Sequence, residues 1–304
     1  MKQLFLILFS CILLTVNAQD WNIPKVGDGG WEVEQEFTLN KKRRNILLIS
    51  EASAYTVALV GLNQLWYADY PKSSFHFIND NEEWLQMDKM GHMSASYYTG
   101  VAGIKAYEWA GFSRKNAIWY GGMTGSIFLT VIEVLDGTSE QWGASSGDLI
   151  ANTTGSLLAI GQALKWNEQR IQLKYSYSPS NMAANNPEQL GSNHLERALK
   201  DYNGQTYWLT LNLKSLLQIE NPDFPSWLSL ALGYGADEMV NPYHEEGDAE
   251  RYRQFLMSFD VDLNKIKTKN KTLNSVLHTF GFLKFPTPAI QYTNGNIFFH
   301  PIYY

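Results

Sequence analysis

Three short stretches place ionisable side chains inside apolar sequence of helical period: Asp88-Lys89-x-Gly91-His92, Glu133-x-x-Asp136-Gly137 and Ser146-Gly147-Asp148-x-x-x-Asn152-x-x-Gly155. Charged groups are seldom buried unless they are paired, so helices that aim several of them inward bring them together. Asp88 and His92 stand at i and i+4 on one helical face, which Ser96 continues. A carboxylate there can accept one ring N–H and leave the other nitrogen free as a general base or a metal ligand. Glu133 and Asp136, at i and i+3, share a face too. Two close carboxylates perturb each other's protonation, so one can serve as acid and the other as base, or they can join His92 around a divalent cation.

Each pair also has a local explanation. Asp88 and His92 can form a pair that only stabilises a helix. Asp136-Gly137 can be a turn, with Glu133 paired to a nearby lysine, although acids at a helix C-terminus oppose the macrodipole. Ser145-x-x-Asp148 fits a capping box, where an acid in the first turn is favourable. Alternatively, Asp148 and Asn152 face the bundle centre, where Asn152 needs partners for both its donor and its acceptor. The candidate catalytic set is therefore His92, Asp88, Glu133, Asp136, Asp148 and Asn152, and the candidate metal ligands are His92, Glu133 and Asp136. The only cofactor suggested is a divalent metal. His76 falls in an aromatic loop, and His194, His244, His278 and His300 lack an acidic frame. No P-loop, G-x-S-x-G, H-E-x-x-H or dinucleotide fingerprint occurs.

Periodicity predicts the elements that position these groups. Four helices are expected, Ile46 to Trp66, Glu83 to about Ala110, Arg114 to Leu135 and Ser146 to Trp166, with short loops that suit an antiparallel bundle. Gly121 with Gly125, and Gly155 with Ala159, mark faces where helix backbones can approach. The later sequence differs. Tyr207 to Leu213 and Phe255 to Leu263 read as strands, the second alternating strictly, and Ile297 to Tyr304 as a last one. Pro225 to Leu232 and Leu273 to Leu283 read as helices. The fold class is α+β, mainly α: an antiparallel helical bundle, then a smaller mixed α/β region. The expected divisions are a signal peptide (1–18), an extended arm (19–44), the bundle (45–170), a linker (171–205, one short helix at His194 to Lys200) and the mixed region (206–304).

The amino-terminal residues read as an export signal, with Lys2, an apolar run from Leu4 to Leu14 and a cleavage pattern at Val16-Asn17-Ala18. Cys11, the only cysteine, lies within the run. Cleavage after Ala18 removes one lysine and no acid, taking the formal charge from -6 to -7 and leaving a chain without disulfides. An acidic exported chain offers nucleic acid no electrostatic footprint. Ten Trp and 17 Tyr fit an aromatic core or a membrane-interface belt. Integral insertion is an alternative, but it would put Lys41-Lys42-Arg43-Arg44 on the outer side of a first span, against the positive-inside tendency.

Phe75-His76-Phe77 to Asn81, Trp84 to Lys89, Gly91-His92, Glu133-x-x-Asp136-Gly137 and Ser145 to Gly155 together resemble the YfiM-like family of uncharacterised periplasmic lipoproteins (domain of unknown function 2279). The motif order is also similar to VanZ-like membrane proteins. The resemblance covers roughly residues 70–165 and implies a helical core in the cell envelope, with no defined activity. The expectation is an exported, membrane-associated protein of the periplasm or outer membrane, whose partners are the membrane surface or envelope components. Its role is structural or homeostatic, or else it is an envelope hydrolase or lipid-modifying enzyme using the His/carboxylate site.

Overall fold

The computed structural model describes residues 39–67 and 70–304. The export signal, Cys11 and residues 19–38 of the expected arm lie outside them. Helix α1 spans Lys41–Leu62 and runs into a π-helical turn, Asn63–Tyr67. It starts earlier than expected because the Asn40 side chain accepts from the Arg43 N–H, which draws the basic cluster into the helix. A 3-10 turn at Glu83–Gln86 leads into α2, Met87–Trp109, which ends before Gly111 at φ 86°. Helix α3, Arg114–Gly137, carries a π-helical turn at Ala117–Gly121. Helix α4 is Ser146–Trp166, capped by Ser145.

The pairings fix the helix directions. His92 meets Asn152 and Ser96 meets Ser156, a constant offset of 60 residues, so α2 and α4 run parallel. Helix α3 runs against both: Gly121 lies against Gly103, Gly122 against Ile160 and Gly125 against Ser96. A Cβ on Gly155 would collide with the Met93 carbonyl oxygen of α2. These glycines let three backbones touch, which brings short polar side chains of different helices within bonding reach. Among the described residues, α1 and α3 are long and apolar enough to cross a membrane.

Two short strands, β1 (Phe77–Ile78) and β2 (Ala144–Ser145), pair in parallel and tie the 70–82 loop to the start of α4. The carboxy-terminal half is a six-stranded antiparallel meander: β3 Ile171–Tyr177, β4 Gln205–Asn212, β5 Leu228–Asp237, β6 Tyr252–Val261, β7 Thr287–Thr293 and β8 Asn296–Tyr303. Short helices fill the connections, at Pro187–Leu190 (α5), His194–Lys200 (α6), Leu213–Leu216 (α7) and Lys271–Thr279 (α8).

Two expectations are corrected, and one strand is added. Pro225 to Leu232 is not helical: Leu228 onward is β5, because Leu228, Leu230 and Leu232 alternate with Ser229, Ala231 and Gly233. The 171–205 stretch does not lack regular structure, since it opens with β3, whose Ile171, Leu173, Tyr175 and Tyr177 fall on one face. Thr287–Thr293 forms β7 despite Pro288, which sits at a register irregularity between Thr287 and Ala289. The core between the halves contains Trp84, Met87, Tyr175, Tyr207 and Met239.

Gly155→Val should lower stability by about 2 kcal/mol or more, because the methyl groups meet backbone. Gly161→Ala, which meets nothing within 4 Å, should leave stability unchanged or raise it by up to about 1 kcal/mol. Thermal melts of the two variants check this, and equal melting temperatures would contradict it.

Candidate functional site

The centre is assembled where α2 and α4 begin side by side. Approaching α2, Trp84, Leu85 and Gln86 take left-handed φ values of 47°, 50° and 66°, a conformation that costs roughly 1–2 kcal/mol per residue. The carboxy-terminal half holds this turn in place. Tyr234 Oη donates to the Leu85 carbonyl at 2.5 Å, Arg253 Nη2 to Gln86 Oε1 at 2.8 Å, and the Trp84 N–H to the Pro242 carbonyl at 2.9 Å.

Beyond the turn, Lys89 Nζ sits 2.6 Å from Asp80 Oδ2, 3.0 Å from Asp148 Oδ1 and 3.4 Å from Asp88 Oδ2. Ser145 Oγ donates to Asp80 Oδ1 at 2.6 Å and accepts from the Asp148 N–H at 3.0 Å. Both readings of Asp148 therefore hold, as it lies in the capped first turn of α4 and also faces the centre. Asp88 Oδ1 accepts from Tyr202 Oη at 2.9 Å.

His92 lies within the cluster. Its Nδ1 is 3.0 Å from Asn152 Oδ1, which makes Nδ1 the protonated nitrogen and turns Nε2 toward the acids. Nε2 lies 3.8 Å from Asp88 Oδ1 and 3.8 Å from Asp148 Oδ2. One ligand atom from each of Asp88, His92 and Asp148 falls within 4.8 Å of the others. His92 and Asp148 are only 5% and 4% exposed. Asn152 is fully buried, and its Nδ2 has no hydrogen-bond partner. The polar seam continues down α2, where Ser96 Oγ donates to the Asn152 carbonyl at 2.5 Å and bonds Ser156 Oγ at 2.9 Å.

Glu133 and Asp136 are buried close by, but they are committed elsewhere. Glu133 Oε2 accepts from the Ser145 N–H at 3.0 Å, and Asp136 Oδ1 accepts from Tyr67 Oη at 2.6 Å. Of the candidate residues, the ligand atoms that gather within 4.8 Å are those of His92 with Asp88 and Asp148, and the candidate metal ligands Glu133 and Asp136 are not among them. Sequence reasoning missed Lys89 as the central cation, Asp80 as its nearest partner, and Tyr202. Asp80 could have been found as the acid in the loop that precedes the helix. Tyr202 carries no local signal, lying 114 residues from Asp88.

Charge and burial set the protonation. Burial pushes Asp148 up to about 7, helped by Asp88 and opposed by His92 and Lys89. Burial also acts to raise Asp88, but His92, Lys89 and the Tyr202 hydroxyl outweigh it and hold Asp88 at about 2. Burial pulls His92 down, yet the charges of Asp148 and Asp88 raise it above its ordinary value. Lys89 is likewise held above its ordinary value by the acids, against burial.

An α+β protein with a buried His–carboxylate cluster is thus the class that fold and site define. Residues 75–162 match the model of the family described as "Predicted periplasmic lipoprotein (DUF2279)". The match takes in Asp80, Asp88, Lys89, His92, Glu133, Asp136, Asp148 and Asn152, and it ends before Tyr202. It agrees with the YfiM-like resemblance and with an exported protein of the periplasm or outer membrane. Comparison with curated proteins and with solved structures finds no match.

The cluster predicts a pH optimum of stability. The raised Asp148 and His92 favour the folded state at low pH, and their contributions fade as pH rises toward about 7 and above 6.5 respectively. The lowered Asp88 favours it above its ordinary 3.8 and loses that effect as pH falls toward about 2. Melting temperature should therefore fall between about pH 5 and pH 8. Asp148→Asn should flatten that fall, and an equally steep fall in the variant would refute the assignment.

Proposed function

We propose that this chain is a membrane-associated envelope protein with a structural or homeostatic role. In this reading the buried charge cluster fastens the helical bundle to the carboxy-terminal half. One observation carries it: the Tyr202 hydroxyl, from the far half of the chain, closes on Asp88 inside a cluster where Lys89 serves three carboxylates. His92 and Asp148 are buried, so a substrate would reach them only after Tyr202 and its neighbours moved. The envelope location is supported by the family match.

The test is Tyr202→Phe, which removes a hydroxyl from a carboxylate and nothing else. Hydrogen bonds to charged groups contribute about 1.5–3 kcal/mol, so a loss of that size is expected, with earlier proteolysis in the 178–204 segment. Unchanged stability would count against the fastening role.

A second reading is favoured by the triangle of Asp88, His92 and Asp148, with the imidazole Nε2 facing both acids. These three could hold a divalent cation in a hydrolase or lipid-modifying enzyme, with His92 as ligand or base. The cation would have to displace Lys89 from Asp148 Oδ1. The first reading expects no change in melting temperature on adding zinc, manganese or magnesium. A rise equivalent to about 2.7 kcal/mol at a hundredfold excess over Kd, lost in His92→Ala, would replace it with the second.

A further inference from the structure

The six-stranded sheet is inverted relative to a water-soluble one. Strand β6 buries Leu256, Ser258 and Asp260 and exposes Phe255, Met257 and Phe259. The registers extend this across the sheet. Leu209 of β4 pairs with Leu232 of β5, Leu232 with Met257 of β6, Met257 with Ile290 of β7, and Ile290 with Phe299 of β8. This unbroken row of large apolar side chains is 37%, 42%, 49%, 45% and 67% exposed. Next to it runs a second row, Tyr234, Phe255, Tyr292 and Ile297. Neither row contains a charged residue.

The opposite face is polar and enclosed. Lys174 of β3 and Asp260 of β6 are 2.5 Å apart and both fully buried. Two strands separate β3 from β6 in the sheet, so this pair crosses a concave interior and the sheet must be rolled. Thr206 of β4 reaches Tyr303 of β8 at 2.9 Å across the same interior, and Lys284 lies 4.8 Å over the Trp208 ring. Gly233 and Ala231 of β5 supply the small inner surface that the roll requires.

We propose that the outer face of this rolled sheet is seated in the hydrocarbon of a lipid bilayer. A protein partner would need a local patch. Here the apolar surface follows the strand pleat over five strands while the inside is polar and ion-paired, which is the pattern that lipid imposes on membrane β-structure. Strands β5 and β6 have ten residues each, the length used to cross a bilayer at a tilt. Phe255 and Tyr292, paired across β6 and β7, form an aromatic edge on the side of the row where Arg253 also lies, as at a membrane–water boundary. At the β8 edge, Pro301 has no N–H to leave unpaired. This rests on the membrane-associated reading and names the surface responsible.

The test uses the full chain with Cys11→Ser, which removes the single thiol and with it any thioether lipid anchor. Met257→Cys, Ile290→Cys and Phe299→Cys are each labelled with an environment-sensitive fluorophore and mixed with vesicles of phosphatidylethanolamine and phosphatidylglycerol carrying brominated acyl chains. All three labels should shift to the blue and be quenched, while a label at Asp248→Cys should not. The pair Met257→Asp with Ile290→Asp should cut vesicle flotation about tenfold or more, with an unchanged melt in detergent. Flotation with unquenched labels would overturn this proposal and leave membrane association standing on another surface. Absence of flotation would overturn both. Labels shielded without vesicles, together with a doubled mass, would assign the face to a second copy and overturn the lipid assignment.

Discussion

One ammonium group holds the centre of this protein. Lys89 is the cation shared by Asp80 from the β1 loop, Asp88 from its own helix and Asp148 from α4. The loop and the start of α2 are neighbours in sequence, the start of α4 lies some 60 residues on, and that charge compensates the acids all of them bring to one place. A buried carboxylate without a partner is strongly unfavourable, so the loop, the start of α2 and the start of α4 cannot separate independently. Around Lys89 the fit is made by small residues. The close glycine contacts let α2 touch α3 and α4, and the Ser96–Ser156 pair continues the polar seam. Tyr202 and the clamp on the left-handed turn carry the constraint into the second half.

The two halves use the same arrangement. Each places its ion pairs inside and leaves apolar side chains outside: Lys89 and its acids within the bundle, Lys174 and Asp260 within the sheet. Helix α1 adds exposed Ile49, Val57 and Val60 to the outer surface. An exported chain whose described residues contain no disulfide-forming cysteine takes its cohesion from these buried networks and from backbone contact. Its outer surface is suited to an apolar environment.

The helices were legible because each has a cap or a stop in sequence: Ser145 before α4, Gly111 after α2, Gly137 at the end of α3. The face shared by Asp88, His92, Asp148 and Asn152 was legible from spacing. The partner choices of Glu133 and Asp136 were not, since they depend on where Ser145 and Tyr67 arrive in space. Strand β5 is not legible because the eight residues Pro225 to Leu232 fit a short helix as well as a strand. The alternation of β6 was seen, but not its sense. Pattern alone gives which residues share a face, and only packing tells whether that face looks inward.

A double-mutant cycle on Lys89→Met and Asp148→Asn, read by chemical denaturation, tests the central claim most directly. At pH 8, where Asp148 is ionised, Lys89→Met leaves the Asp148 carboxylate without its ammonium, Asp148→Asn leaves Lys89 to Asp80 and Asp88 alone, and the double variant removes both charges. The account predicts a coupling of about 2–3 kcal/mol, with the double variant far less destabilised than the sum of the singles. Additive effects would show that Lys89 and Asp148 act separately, and the account of a shared buried charge would be wrong.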